Sequence, residues 1–283
     1  MPFTPSHAVL ALPFVRTPLV PAAIAVGSMT PDLPLFVRGA GIGYGFTHTF
    51  GNVVWTTLLA FALFLVWRVL LRPAVPVLAP AWVAARLPGE WRRSGLRAAA
   101  DAIGVGRPRS YPLLLAVSLA LGVLSHIVWD LFTHEGRAGV DALPMLDEQW
   151  GPLPGYKWLQ HGSSVLGLVI IGVWMLVWMV RRAPHPEVHR AGRQAAPSWL
   201  RVAWWLSLPA VLVVAWAVGL TMLGPLTPMF TVQHLAYRVL PPACALWGAA
   251  TGILCIWVTL RAGASAGDDE VSGARSMSAD PRR

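Results

Sequence analysis

The residues best suited to chemistry lie in the segment SHIVWDLFTH at 125–134, where two histidines and an aspartate recur every four residues. This spacing places His126, Asp130 and His134 on one face of an α-helix, with a drift of about 40° at each step. Imidazole and carboxylate groups bind metals and transfer protons. The segment ends a long apolar run, where ionisable groups are costly and usually mark a site. The pattern therefore predicts a metal or acid–base site near a helix end.

Helix geometry limits how many of these side chains can share one ion. His126 and His134 are separated by about 12 Å along a helix axis, at about 1.5 Å per residue. A single ion is therefore not expected to bind both unless the helix breaks between them. Two possibilities stay open. Either the site holds two ions, or His134 is an acid–base group or a hydrogen-bonding neighbour of a ligand.

The composition is that of a polytopic membrane protein. Hydrophobic residues make up 55% of the 283 residues and charged residues 12%, and the mean hydropathy is +0.57. A soluble domain usually has about 25% charged residues. The net charge is +9, but most arginines lie in loops between apolar segments. Membrane topology accounts for that pattern, so nucleic-acid binding is not expected.

The apolar segments predict an all-α polytopic helical bundle with five to six transmembrane helices. Each clear segment has about the 20 residues needed to cross the hydrocarbon core. A weaker segment at 18–37 contains Pro31 and Asp32, and it is either a sixth span, a short one or a re-entrant piece. The five clear spans are 53–71, 112–132, 163–180, 202–223 and 240–260.

Loop charge predicts the orientation of these spans. The arginine-rich loops at 72–110 and 181–201 are expected in the cytoplasm, because positively charged loops stay inside. The acidic loop at 134–160 then lies outside, and the C-terminus is cytoplasmic. Residues 1–261 are predicted to form one membrane-embedded domain. Residues 262–283 are rich in Gly, Ser, Ala and Asp, which is typical of a disordered tail.

This topology places further metal-binding side chains on the outer side of the membrane. Asp32 lies near the outer end of the first apolar segment, His48 precedes the 53–71 span, and His161 opens the 163–180 span. Imidazole and carboxylate ligands together suit Zn²⁺, or Mn²⁺ and Fe²⁺ where oxygen predominates. With one open position, such an ion lowers the pKa of bound water to near 7. The competing interpretation is a buried Asp–His pair that only fastens helices.

With these residues in view, the sequence resembles the DUF4184 family of bacterial membrane proteins, which implies a multi-pass protein of the bacterial inner membrane. The resemblance brings no established activity. It is strong over about 1–180 and extends to the last two spans only in hydropathy. The matching segments are MPFTPSH (1–7), GSMTPD (27–32), TH (47–48), LSHIVWDLFTH (124–134), GPLPGYK (151–157) and LQHGSS (159–164).

A more distant similarity to membrane-bound metal-dependent hydrolases and zinc-dependent phospholipase C-like proteins has functional content. It implies a divalent metal, best matched by zinc as one or two ions. His7 belongs to this set only if the 18–37 segment is short or re-entrant, because a full span would leave His7 on the cytoplasmic side. The ligands implied residue by residue are His7, Asp32, His48, His126 and Asp130.

These observations lead to one main hypothesis and two alternatives. The main one is a membrane-embedded hydrolase that acts on a phosphoester or lipid-like substrate near the outer face. Asp130 and His134 would be catalytic, and Lys157 and His161 would bind an anionic substrate. The first alternative is a non-enzymatic scaffold or accessory protein with structural Asp–His pairs. The second is a proton- or metal-coupled transporter, which is disfavoured because the ionisable groups cluster near one face.

Overall fold

The computed structural model describes residues 4–38, 41–184 and 196–278, with side chains as far as Arg261. Apart from one two-stranded hairpin, its regular structure is helical, which confirms the predicted all-α fold. The α-helices are α1 (Pro21–Met29), α2 (Leu33–Phe36), α3 (Tyr44–Thr47), α4 (Val53–Leu65), α5 (Arg72–Leu78), α6 (Ala81–Ala84), α7 (Gly95–Ile103), α8 (Tyr111–Thr133), α9 (Ala138–Ala142), α10 (Gly155–Arg181), α11 (Ser198–Leu223) and α12 (Val232–Ser278). Five 3₁₀ segments and one π-helical segment complete the set, namely Thr4–Phe14, Thr30–Asp32, Phe50–Asn52, Gly89–Arg92 and Pro144–Leu146, and Val66–Leu71.

Five helices in the described part of the chain are long and apolar enough to cross a membrane, which confirms a polytopic helical bundle with five candidate spans. The first of them runs without a break through α4, the π-helical segment and α5, so it ends beyond the predicted residue 71. Arg72 is buried in it, and its guanidinium donates to the Glu90 carbonyl at 3.2 Å. The spans are Phe50–Leu78, Tyr111–Thr133, Gly155–Arg181, Ser198–Leu223 and Val232–Arg261.

The weaker apolar segment at 18–37 is not a sixth span. Its helix α1 has nine residues, and the chain then passes through the 3₁₀ turn Thr30–Asp32 into the four-residue α2. Pro31 has no backbone N–H and therefore cannot continue the hydrogen bonds of α1, which is a reason for the helix to end before it. A full sixth span is therefore not formed, and the choice between a short and a re-entrant segment stays a prediction.

Glycines let α1 lie directly against α8. A Cβ atom on Gly27 would collide with the Leu119 carbonyl oxygen, and one on Gly122 would collide with the Ile24 carbonyl oxygen. Small residues at such a contact allow two helix backbones to approach closely. The contact continues into an apolar core that includes Ala23, and it holds the end of α1 beside the C-terminal half of α8.

The third span begins at Gly155, eight residues before its predicted start at residue 163. Strands β1 (Gln149–Trp150) and β2 (Leu153–Pro154) pair as an antiparallel hairpin, with Gly151 at φ 70° in its turn. A glycine is favoured there because other residues rarely adopt positive φ. The hairpin leads straight into α10 at Gly155, so the segment 157–161 is helical rather than part of a loop.

The chain divides into two compact units. The first comprises Met1–Val66 and Ala100–Arg182, and the second Trp67–Ala99 and Ala183–Arg283. The core of the second unit includes Ala74, Cys255 and Val258, and Cys255 is a free thiol. All the predicted site residues belong to the first unit, so the first unit contains the candidate site.

The predicted domain boundary at 261/262 stays a prediction. The backbone of α12 is helical as far as Ser278 and so enters the region where the sequence predicts a disordered tail. Residues 279–283 lie outside the described residues. Part of the arginine-rich loop at 181–201 is also outside them.

The α1–α8 contact predicts a difference between two glycine-to-alanine variants. Gly122→Ala places a Cβ against backbone and is expected to destabilise the protein by about 1–3 kcal/mol, as overpacking does. Gly172→Ala, on α10, has no atom near the added Cβ, so helix propensity leaves it neutral or slightly stabilising. Thermal unfolding of both variants in detergent measures the difference. Equal unfolding temperatures would contradict the glycine contact.

Candidate metal centre

The structure brings all five predicted metal ligands together inside the first unit. They come from separate elements: the N-terminal 3₁₀ segment, the turn after α1, the end of α3 and the C-terminal half of α8. Each is buried, and Asp32 and Asp130 are only 1% and 3% exposed. Two groups of three have ligand atoms within 4.8 Å of one another, namely His7, Asp32 and His126, and His48, His126 and Asp130. We call these five residues the His/Asp cluster.

Four members of the His/Asp cluster surround one point. The Nε2 atoms of His48 and His126 are 3.2 Å apart. Each of these atoms lies 3.7 Å from Asp32 Oδ1 and 3.5 Å from Asp130 Oδ2. Two imidazole nitrogens and two carboxylate oxygens therefore face a common centre.

Backbone carbonyls determine which imidazole nitrogens face this centre. His126 Nδ1 lies 2.7 Å from the Ser28 carbonyl oxygen, and His48 Nδ1 lies 2.9 Å from that of Tyr44. A carbonyl oxygen only accepts, so each Nδ1 must carry the proton and donate it. In the neutral rings both Nε2 atoms are then unprotonated, with their lone pairs directed at each other.

A cation between the two rings would satisfy this arrangement. Two lone pairs at 3.2 Å repel, and two N–H groups at that distance would collide, so one proton at most fits between them. One shared proton would compensate one ionised carboxylate, and Asp32, whose pKa is raised by burial, would then be neutral. A divalent cation would balance both carboxylates and accept both lone pairs, which is the usual way that buried charges are compensated.

The distances also suit a four-coordinate ion. Tetrahedral ligands at 2.0–2.2 Å from a metal are separated from one another by about 3.3–3.6 Å. The five distances given above for His48, His126, Asp32 and Asp130 run from 3.2 to 3.7 Å. His48 and His126, together with either carboxylate, are therefore spaced as ligands of one small cation would be.

His7 adds a fifth candidate ligand and an unpartnered nitrogen. Its ring packs against His126 with the ring centroids 4.1 Å apart. Its Nε2 is buried and has no hydrogen-bond partner among the described residues, and the same is true of Asp130 Oδ1. Burial lowers the pKa of His7 to about 3, so its imidazole is neutral and available as a ligand. The broken first segment is what allows His7 to reach the cluster.

Two hydroxyl groups donate hydrogen bonds to the carboxylates of the cluster. Neither of their residues was predicted from the sequence. Thr4 donates to Asp32 Oδ2 at 2.7 Å, and Tyr44 donates to Asp130 Oδ2 at 3.2 Å. Burial raises the pKa of Asp32, and burial beside Asp130 raises that of Tyr44. The sequence contains one indication of Tyr44, since it lies four residues before His48. In the structure the ring of Tyr44 stacks on that of His48. Hydrogen bonds of this kind orient metal-binding carboxylates.

Comparison with known proteins places the chain in a family. The family described as "Domain of unknown function (DUF4184)" matches residues 1–260. The chain belongs to the DUF4184 family. Comparisons with curated proteins and with solved structures give no match. The more distant similarity to metal-dependent hydrolases therefore stays a prediction.

In this DUF4184 protein, His134 contacts the cluster from outside. It is the first residue after α8 and has an extended backbone. Its Nδ1 lies 3.3 Å from the Asp130 carbonyl oxygen and 3.6 Å from Asp130 Oδ2. It is absent from both ligand groups, which agrees with the helix-length argument. Burial lowers its pKa to about 4, so near neutral pH it is an uncharged neighbour of a ligand.

Gln160 connects His134 to Lys157. Lys157 Nζ donates to Gln160 Oε1 at 3.2 Å, and Gln160 Nε2 lies 3.2 Å from His134 Nε2. Because an ammonium group only donates, the amide oxygen must face Lys157 and the amide N–H must face His134. The proton of His134 is then on Nδ1, directed at Asp130. Sequence reasoning chose the next residue, His161, whereas Gln160 is the one that is fully buried.

The structure does not bring His161 into the His/Asp cluster. It is exposed on α10, one position away from the face that carries Gln160. Lys157 is half-buried and reaches the cluster only through Gln160 and His134. Binding of substrate by Lys157 and His161 stays a prediction.

The network predicts that Gln160 controls the tautomer of His134. In the wild type, ¹⁵N NMR of the imidazole is expected to show a proton on Nδ1 and none on Nε2. Gln160→Glu offers only acceptor oxygens, so the proton is expected to move to Nε2 or a second proton to bind there. Gln149→Glu alters an exposed glutamine of the hairpin and should leave the His134 signals unchanged. An unaltered spectrum in Gln160→Glu would exclude this role.

Proposed function

We propose that this protein is a membrane-embedded metal-dependent hydrolase that acts on a phosphoester or lipid-like substrate near the outer membrane face. The observation that carries the proposal is the pair of facing Nε2 atoms of His48 and His126 between two buried carboxylates. An apolar membrane protein has no evident reason to bury this arrangement unless a cation holds it together, because buried charges are costly.

Zinc is the metal that these ligands fit best. It accepts imidazole nitrogen and carboxylate oxygen in four-coordinate sites. One ion would be held by the four side chains that face the common centre. A second ion would use His7 and Asp32 with His126, the other group whose ligand atoms lie within 4.8 Å. The two groups compete for His126 Nε2, because His126 Nδ1 donates to the Ser28 carbonyl and Nε2 has only one lone pair, so single occupancy is the simpler arrangement.

The residues around the metal ligands supply the positions that hydrolysis requires. A bound divalent ion supplies Lewis acidity and lowers the pKa of a water molecule to near 7. Asp130 Oδ2 is occupied by Tyr44 and the imidazoles, whereas Oδ1 has no partner among the described residues. Oδ1 is thus free to accept a proton from water. The Nδ1–H of His134 stabilises the Asp130 carboxylate, and Lys157 at the far end of the network favours an anionic substrate.

The proposed location follows from loop charge and the family resemblance. The arginine-rich segments 72–110 and 181–201 favour the cytoplasmic side, with the His/Asp cluster at the outer face and the C-terminus inside. The membrane would be the bacterial inner membrane. A site at that depth would meet lipid-like phosphoesters from the outer leaflet.

Metal content separates the proposal from a purely structural role. Wild-type protein purified without chelator is expected to contain zinc near stoichiometry. His126→Ala with Asp130→Ala should remove it, and the single change Asp130→Asn should weaken binding while keeping the side-chain shape. His234→Ala, an exposed histidine outside the cluster, is the matched control and should keep its metal. Elemental analysis provides the measurement, and equal metal content in all four proteins would refute the metal centre.

The scaffold alternative makes the opposite prediction for stability. If the Asp–His contacts only fasten helices, chelation leaves the wild-type unfolding temperature unchanged, and the double substitution lowers it even without metal. If the cluster binds metal, chelation itself lowers the unfolding temperature, because a ligand that binds only the folded state stabilises it. Thermal unfolding with and without chelator distinguishes the two.

Catalysis requires its own test. The wild type loaded with zinc is expected to hydrolyse a fluorescent phosphodiester in detergent micelles. Asp130→Asn should lower kcat by about 10²–10⁴-fold, the usual contribution of a positioned acid–base group. His234→Ala should retain the wild-type rate. A zinc-loaded Asp130→Asn variant with an unchanged rate would exclude Asp130 as the proton acceptor.

A further inference from the structure

A groove in the first unit borders the His/Asp cluster on one side. It has a volume of about 350 Å³ and lies between the N-terminal 3₁₀ segment, α8 and α10. Buried His7 and Gly167 form its floor, and the partly exposed apolar side chains of Val128, Leu166 and Ile170 form its rim. We call it the apolar groove. Its volume is within the range of small-molecule sites.

The apolar groove runs along α10 in the apolar part of the bundle. At one end the Trp129 indole donates to the Ser163 hydroxyl at 3.2 Å, and at the other end is Ile170. The separation from Ser163 to Ile170 is about 10 Å along the helix axis. Gly167 lies midway, where an added Cβ would come within 2.9 Å of the Ser6 carbonyl oxygen. The floor therefore depends on a close contact between α10 and the N-terminal segment.

The surroundings of the apolar groove indicate which class of molecule it would bind. The groove opens between α8 and α10, which both belong to candidate membrane spans, so lipid chains are the molecules that would surround it. An extended peptide would leave backbone N–H and C=O groups unsatisfied in an apolar environment. A hydrocarbon chain carries no such groups and matches the apolar rim.

His7 connects the apolar groove to the His/Asp cluster. It is both a floor residue of the groove and a neighbour of His126, with the ring centroids 4.1 Å apart. A chain in the groove would therefore end beside the metal-binding groups. We propose that the apolar groove binds the hydrocarbon chain of a lipid phosphoester and so places its headgroup at the His/Asp cluster. This assignment rests on the proposed hydrolase function and adds the substrate class to it.

Photo-crosslinking tests the groove directly. The full-length protein is reconstituted in phosphatidylcholine nanodiscs with a phosphatidylglycerol whose acyl chain carries a diazirine, and labelled peptides are identified by mass spectrometry. Peptides that contain 163–170 are expected to be labelled in a way that excess unlabelled phosphatidylglycerol suppresses. Labelling of the exposed surface at 173–177 should not be suppressible. Uniform labelling without a suppressible component overturns the proposal.

Two pairs of variants make the test specific. Leu166→Trp fills the groove from α10, and Val165→Trp is its control, since both side chains are similarly exposed (60% and 63%) but only Leu166 lines the groove. Val128→Trp fills it from α8, with Val117→Trp as the control. Each filling variant should lose roughly tenfold in suppressible labelling, because excluding even two methylene groups has about that effect on affinity. Wild-type labelling in both filling variants overturns the proposal.

The result is independent of catalysis, because crosslinking needs neither metal nor turnover. Specific labelling with no metal in the protein would support the groove and refute the hydrolase. Stoichiometric metal without specific labelling would support the metal centre and refute the groove. If both filling variants fail to fold, the suppressible wild-type labelling at 163–170 still decides the question.

Discussion

The close contact between α1 and α8 is the constraint on which the rest of the site depends. Gly27 and Gly122 allow the two backbones to meet, and the Ser28 carbonyl can then accept the hydrogen bond of His126. The same contact carries the turn with Asp32 to within 3.7 Å of His126 Nε2. A side chain at either glycine would separate the helices and with them the imidazole from the carboxylate. The packing of α1 on α8 therefore also determines how close Asp32 and His126 lie to each other.

Charge balance explains why so many polar groups surround so small a volume. Two carboxylates in the first unit are almost fully buried, and each has a hydroxyl donor in addition to the imidazoles. In an apolar interior, an uncompensated charge costs far more than these hydrogen bonds recover. The backbone carbonyls that hold the Nδ1 protons turn the Nε2 lone pairs of His48 and His126 toward each other, where a cation could compensate the carboxylates.

The hydrogen-bonded network of Lys157, Gln160 and His134 shows how the start of a helix determines which side chains meet. The sequence predicts a loop at 134–160 with His161 at the opening of the next span, which makes His161 the evident polar candidate. Because α10 begins at Gly155, these residues have helical spacing, and Gln160 rather than His161 faces His134. Propensity gave no reason to prefer the glutamine, since the direction of a helix face depends on where the helix starts.

The sequence by itself determined the membrane-spanning class, the five spans to within a few residues at most ends, and four candidate ligands, namely Asp32, His48, His126 and Asp130. Hydropathy and ligand chemistry are local properties that one chain reveals. Only the tertiary structure decided that His7 joins the cluster, that Tyr44 and Thr4 hold its carboxylates, and that the two Nε2 atoms face each other. Those facts depend on a broken first segment, a glycine contact and a helix start, each of which is settled by packing between segments distant in sequence.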